Sequence, residues 1–249
     1  MIKQIKIRLD QLLVNRNLAE SKSKAQSMIM AGQVLVNEKM ITKSGNTFHE
    51  KSKIIIKELH PKWVSRGALK LLRALDYFKI DVKGKICLDI GSSTGGFSEV
   101  LLRNNAKKIF SVDVGTNQLH EKLRKEKKIV SIENYNAKYI DKKIIPENID
   151  LIVCDVSFIS LKKVIFPSLG LLSKKAEIIA LIKPQFETSK KNLVKGIVKD
   201  KKIHNEICND IENWFKFECN AKVIGIIQSP INGPKGNEEF LIYCFLEKS

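Results

Sequence analysis

Lys85-Ile-Cys-Leu-Asp-Ile-Gly-Ser-Ser-Thr-Gly-Gly-Phe97 decides the fold. A short apolar run ends in an acid, a glycine-rich turn follows, and Phe97-Ser-Glu-Val-Leu-Leu-Arg103 then reads as helix. Such a turn lets backbone approach a ligand closely. The same rhythm continues downstream. Lys108–Asp113 is predicted as the next strand and residues 117–126 as the next helix, with further strands at Ile129–Ile132, Ile149–Cys154 and Glu177–Ile182. Strands alternating with helices predict a doubly wound parallel sheet, an α/β domain. Lys222–Ile227 and Phe240–Phe245 flank a segment, 229–237, rich in Gly, Pro and Asn, and are expected to finish the sheet as an antiparallel pair.

Ligands of such sheets bind outside the carboxyl ends of the strands, and the conspicuous polar residues fall there. The first strand end offers Asp89, Gly91, Ser92, Ser93, Thr94, Gly95, Gly96 and Phe97; the second offers Asp113, with Val114 beside it. An acid at that second position can accept hydrogen bonds from two ribose hydroxyls. The pair alone would also suit a nicotinamide cofactor. The loop, however, is Asp-x-Gly-Ser-Ser-Thr-Gly-Gly-Phe and not Gly-x-Gly-x-x-Gly, which better suits a zwitterionic, sulfonium-bearing ligand than a pyrophosphate. Two later strand ends give Asp155-Val-Ser-Phe-Ile-Ser160 and Lys183-Pro-Gln-Phe-Glu187. A lysine closing an apolar strand must bring its charge out in the cleft. Lys70 lies on a helix leading into the first strand, and Glu238-Glu239 precede Phe240. On spacing alone this group of charges is weak evidence.

The first sixty residues read as a separate α+β module. Leu9, Leu12 and Leu13 share one helical face; Ser21 or Ser23 can cap a second helix with Ala25, Met28 and Ile29 inward, ending at Gly32. A strand and turn at 33–41 and a strand at Ile54–Ile56 follow. The expected boundaries are 1–60 for this module, 61–65 for a linker and 66–249 for the α/β domain. Trp63 is expected to pack between the two.

Composition narrows the partners. The 249-residue chain carries a net charge of +17, which points to a polyanion, although a Lys-, Ile- and Asn-rich bias alone can raise such a figure. Residues 1–60 hold 11 Lys/Arg against 5 Asp/Glu, so the small module is the more densely basic part. Cys87, Cys154, Cys208, Cys219 and Cys244 form no paired motif, which suggests neither zinc nor a disulfide framework and fits a reducing cytoplasm. No run of about 18 apolar residues predicts a membrane span, and the N-terminus does not read as a signal peptide.

Two resemblances sharpen this reading. RLDQLLV and LAESKSKAQSMIMAGQVLVN, over residues 6–59, resemble the RNA-binding domain first described in ribosomal protein S-four. That likeness implies RNA contact by Arg8, Arg16, Lys22, Lys24 and Lys43, to which Arg66 of the second domain is added. Arginine is commoner in that family where Lys22 stands here. SRGALKL, LDIGSSTGGFSEVLL, DVSFISL, LIKPQFE and GPKGNEEFL together are similar to the TlyA (hemolysin A) family, whose catalytic domain is of the FtsJ type, a Rossmann-like methyltransferase. The resemblance implies S-adenosylmethionine as cofactor, no metal, and methyl transfer to a cytidine 2′-hydroxyl of ribosomal RNA or ribosomal subunits. It maps a catalytic tetrad onto Lys70, Asp155, Lys183 and Glu239, with Asp155 also facing the cofactor. Glu239 is preferred to Glu238 because it directly precedes the aromatic that opens the strand. Lys183 would steer or deprotonate the hydroxyl: burial and Lys70 favour a neutral amine, Asp155 and Glu239 oppose one, and the residues leave both roles open. A non-catalytic RNA-binding or ribosome-assembly factor is the first rival, against which an intact tetrad and loop argue. A membrane-active cytolysin is the second, unsupported by any spanning or amphipathic segment.

Overall fold

A computed structural model describes residues 6–30, 32–56 and 63–248, and its chain contacts divide it into two units, Met1–His60 and Pro61–Ser249. In the first, β1 (Lys6–Arg8) leads into α1 (Leu9–Asn15) and α2 (Lys22–Met30), followed by β2 (Val34–Val36), β3 (Lys39–Ile41), β4 (Thr47–His49) and β5 (Ile54–Ile56). β1 pairs with β4, and β2 lies between β3 and β5, all antiparallel. Leu9, Leu13, Ala25, Ile29, Val34 and Val36 form its core. Ser21 is the residue that caps α2, its Oγ accepting from Lys24 N at 3.2 Å. Asn37 and Glu38, both at positive φ (48° and 69°), make the two-residue turn of the β2–β3 hairpin.

The second unit begins with α3 (Ala68–Phe78) and continues β6 (Ile86–Ile90), α4 (Gly96–Arg103), β7 (Lys108–Val112), α5 (Glu121–Arg124), β8 (Ile129–Ile132), β9 (Ile149–Cys154), α6 (Leu161–Ser168), β10 (Leu172–Ile182), α7 (Pro184–Glu187), α8 (Lys201–Phe217), β11 (Lys222–Gln228) and β12 (Phe240–Glu247). Its sheet has seven strands in the order β11-β12-β10-β9-β6-β7-β8. β8, β7, β6, β9 and β10 are mutually parallel, and β12 runs against both β10 and β11. Side chains of successive strand residues alternate between the faces. Leu88, Ile90, Ile152 and Cys154 join the core that includes residues of α6 and α8, whereas Cys87, Leu151 and Val153 join the one that includes residues of α3 and α4.

Two expectations need correction. The helix expected at 117–126 is reduced to α5, because the backbone N–H groups of Asn117, Gln118 and Leu119 donate to the Glu133 carboxylate instead of closing a helical turn. The strand expected from Glu177 begins at Leu172, with a register shift before Glu177. Trp63 packs against the core of the second unit and under the Arg103 guanidinium at 4.4 Å. Residues 61 and 62 of the expected linker lie outside the described residues.

Candidate active site

The glycine turn is built as its composition demands. Gly91 (φ +81°) and Gly95 (φ +95°) hold conformations that L side chains rarely adopt. A Cβ on Gly91 would stand 2.7 Å from the Asp155 carbonyl oxygen, so the β6 and β9 strand ends approach each other only because this residue is glycine. Ser93 N–H donates to Asp113 Oδ2 at 2.8 Å and Gly115 N–H to Asp113 Oδ1 at 2.7 Å, which fixes that carboxylate at the end of β7.

Two cavities meet over this turn and share Gly91, Ser93, Asp155 and Ser157. One, of about 510 Å3, has apolar walls from Val112, Val114 and Ile159, with Asp113, Gln118 and Asn136 as polar points. The other, of about 560 Å3, is lined by Ser92, Thr94, Gly96 and Phe97 on one side and by Lys70, Lys183, Lys235 and Glu239 on the other. A slot with a fixed carboxylate at one end and a polar turn at the other fits a nucleoside joined to a zwitterion.

Of the residues expected on the cofactor, Gly91, Ser92, Ser93, Thr94, Gly96, Phe97, Asp113, Val114 and Asp155 line one or both cavities; Asp89 and Gly95 line neither. Asp89 is fully buried beneath the turn, where Ser98 Oγ donates to its Oδ2 at 2.6 Å. Burial, reinforced by the charges of Asp155 and Asp113, pushes its pKa up to about 7. Gly95 faces Leu119 and Leu123.

The second cavity wall gathers four charged side chains from four elements. Lys70 Nζ on α3 lies 3.1 Å from Asp155 Oδ2 and 2.8 Å from Glu239 Oε2. Lys183 Nζ, at the end of β10, lies 2.5 Å from Asp155 Oδ1 and donates to Ser157 Oγ at 2.9 Å. Both lysines and Glu239 are almost wholly buried. The Lys70–Glu239 contact is an ion pair and not a well-aligned hydrogen bond. Burial works against the charges of Lys70 and Asp155, but their partners win: Lys70 is held above its ordinary pKa by Asp155 and Glu239, and Asp155 below its own by Lys183 and Lys70. Glu238 instead turns to Gln228 and His204, so Glu239 is the acid at this site.

The FtsJ-like methyltransferase family model matches residues 63–245, and the S4 domain model matches residues 7–52. The chain belongs to the FtsJ-like methyltransferase family. Among relatives, hemolysin A of Brachyspira hyodysenteriae is 41% identical, over 96% of this chain and 100% of its own. The 16S/23S rRNA (cytidine-2′-O)-methyltransferase TlyA of Mycobacterium tuberculosis is 37% identical, over 95% of this chain and 88% of its own. A Streptococcus thermophilus protein whose solved structure carries the name hemolysin is 36% identical, with a TM-score of 0.77 over 99% of this chain and 90% of that one.

Within this FtsJ-like domain sequence reasoning missed several cavity residues. Ser157 and Phe158 lie inside a stretch already singled out, Asp155–Ser160, but their roles depend on backbone shape. Phe158 sits at φ 65°, 90% exposed, at the rim of the first cavity with its ring 5.0 Å from that of Phe186. A large apolar side chain in a left-handed conformation and in water is a cost that function can explain. Of the residues expected on RNA, Lys22, Lys24 and Lys43 are exposed, and Arg66 is exposed and lines the second cavity. Arg8 turns its fork onto buried Asp10 at 2.7 and 3.1 Å, and Arg16 donates to the Ser52 carbonyl at 2.8 Å. Both therefore also hold the first unit together. Among the described residues no cluster of His, Cys, Asp and Glu could hold a metal, and no helix is long and apolar enough to cross a membrane.

Proposed function

We propose that the protein transfers a methyl group from S-adenosylmethionine to a ribose 2′-hydroxyl of ribosomal RNA, with cytidine as the target nucleotide. The observation that carries this reading is the buried Lys70–Asp155–Lys183–Glu239 constellation beside the glycine turn, in a chain similar to an rRNA (cytidine-2′-O)-methyltransferase. The turn residues 91–97 would hold the amino-acid end of the cofactor, and Asp113 its ribose hydroxyls. When bound, the cofactor supplies an electrophilic methyl on a sulfonium, whose leaving group is a neutral thioether.

The protein's part is to present the alcohol. Lys183 spends two N–H groups on Asp155 and Ser157, which leaves one to hold the attacking oxygen from the cavity wall. Lys70 and Glu239 fix Asp155 and hence Lys183. As the C–O bond forms, the oxygen becomes far more acidic than an alcohol and its proton leaves to water, so orientation is the larger contribution. Arg8, Arg16, Lys22, Lys24, Lys43 and Arg66 would bind RNA backbone, positioning without reading sequence. Calorimetry tests the cofactor assignment: S-adenosylmethionine should bind at one site and a nicotinamide dinucleotide should not. Equal affinity for the two would refute it.

A further inference from the structure

The four catalytic side chains cancel in charge, two lysines against two carboxylates. The rim of their cavity does not. Arg66 and Lys235 both line it, and among the described residues neither forms an ion pair. Next to them runs the segment Lys183–Lys202, with seven lysines (Lys183, Lys190, Lys191, Lys195, Lys199, Lys201 and Lys202) against Glu187 and Asp200. Both acids are occupied by the fold. Glu187 accepts from Ser160 Oγ and Leu161 N at 2.7 and 2.6 Å, and Asp200 caps α8 by accepting from Lys202 N at 2.8 Å.

The same bonds fasten the segment. Glu187 pins its start to α6. At its far end Val194 and Ile197 pair across a turn made by Lys195 (φ 53°) and Gly196 (φ 83°). Asn237, two residues before Glu239, donates Nδ2 to the Gly196 carbonyl at 3.0 Å and accepts from Val198 N at 3.2 Å. Buried His204 contacts the Val198 carbonyl through Nε2 at 3.0 Å. The Lys235 ammonium lies 3.6 Å from where a side chain on Gly196 would begin. Lys190, Lys191 and Lys195 are exposed and, among the described residues, form no ion pair; the turn that carries Lys195 is tied by Asn237 to the loop leading into β12 and lies next to the cavity-lining Lys235. Fixed, unpaired cations at a cavity mouth suit a polyanion that must be held in register with that cavity. A membrane surface would call for an apolar face beside the charges, and among these residues Val194 alone is a large exposed apolar side chain.

We propose that Lys190, Lys191 and Lys195, with Lys235 and Arg66, form a phosphate clamp in the catalytic unit that grips RNA backbone flanking the nucleotide presented to Lys183. The inference rests on the RNA methyltransferase reading and adds a second RNA surface outside residues 1–60.

The test uses the full chain, unmodified ribosomal subunits and S-adenosylmethionine. The triple variant Lys190→Gln/Lys191→Gln/Lys195→Gln is compared with Lys83→Gln/Lys107→Gln/Lys174→Gln. The latter removes equal charge from exposed positions at the amino ends of the strands. The clamp variant should raise KM for subunits about tenfold and reduce the slope of log Kd against log salt by about 2. The loss should lie in KM more than in kcat, and cofactor affinity should be unchanged. The control should match wild type. Unchanged KM and salt slope in the clamp variant, or an equal loss in the control, would overturn the clamp while wild-type methyl transfer still upholds the reading. No methyl transfer by the wild type would overturn both. A variant that loses affinity only for anionic lipid vesicles would overturn the choice of RNA.

Discussion

Replacing Lys70 with alanine should damage stability far more than replacing Lys183, although both should abolish methyl transfer. Lys70 answers two buried carboxylates, and the side-chain exposures of Lys70, Asp155 and Glu239 are 9%, 17% and 0%. In Lys70→Ala, Asp155 keeps Lys183, but among the described residues Glu239 has no other cation within ion-pair distance. Removing one partner of a buried pair costs about 3–5 kcal/mol, because the other charge is left stranded. For a unit of this size that is a fall in Tm of roughly 10 °C. Lys183→Ala leaves Asp155 paired with Lys70, and its cost should stay near 1–3 kcal/mol. Trp63 and Trp214, the chain's two tryptophans, both belong to the second unit, so their fluorescence during heating follows that unit's unfolding. The decisive variant is the double one. Glu239→Gln removes the stranded charge and should recover at least half the lost stability of Lys70→Ala without restoring activity. A Lys70→Ala protein melting within about 2 °C of wild type, or a double variant less stable than Lys70→Ala, would refute this account of the tetrad.

Further outcomes follow from the turn and its surroundings. Gly91→Ala must relieve a 2.7 Å clash with backbone at positive φ, so calorimetry should show cofactor binding lost; wild-type affinity would contradict the close approach of the β6 and β9 ends. Burial holds Asp89 protonated up to about pH 7 in the folded chain, whereas unfolded it ionises near pH 4. Stability contributed by this group is therefore lost as pH rises from about 4 to about 7, by at most a few kcal/mol. The stability of Asp89→Asn relative to wild type should climb over that window, and a flat difference would deny the burial effect. Phe158→Gly removes a strained, exposed ring and should leave Tm at least as high as wild type while raising KM for RNA about tenfold, the worth of one base–aromatic stack. A lower Tm with unchanged KM would assign Phe158 to the fold.

The sequence made the strand ends legible because a parallel sheet delivers every carboxyl end to one cleft. It did not show which way an acid points near such an end. Asp89 pairs in register with Ser111, one step inside the strand, and faces the α4 side with Ser98. Asp113 lies just beyond Val112 and reaches the cavity. A shift of a residue or two in position separates a core carboxyl from a ligand-binding one. The tetrad rested on resemblance, since its members come from four elements far apart in the chain and nothing in their spacing demands that they meet. The sequence does not show that Asp10 faces Arg8, or that the Ser52 carbonyl faces Arg16. Likewise, nothing in the sequence shows that Asn237 ties the turn at Lys195 and Gly196 to the loop leading into β12.

The central claim is transfer to a ribose hydroxyl by the Lys183-bearing site. It is tested most directly by incubating wild type and Lys183→Ala with unmodified ribosomal subunits and methyl-labelled S-adenosylmethionine, then hydrolysing the RNA in alkali. A 2′-O-methyl group blocks cleavage at its own 3′ phosphate, so the label should emerge in a dinucleotide. It should be absent from the Lys183→Ala reaction although that variant still binds cofactor. Label in mononucleotides, which marks base methylation, or near-normal transfer by Lys183→Ala, would contradict the account.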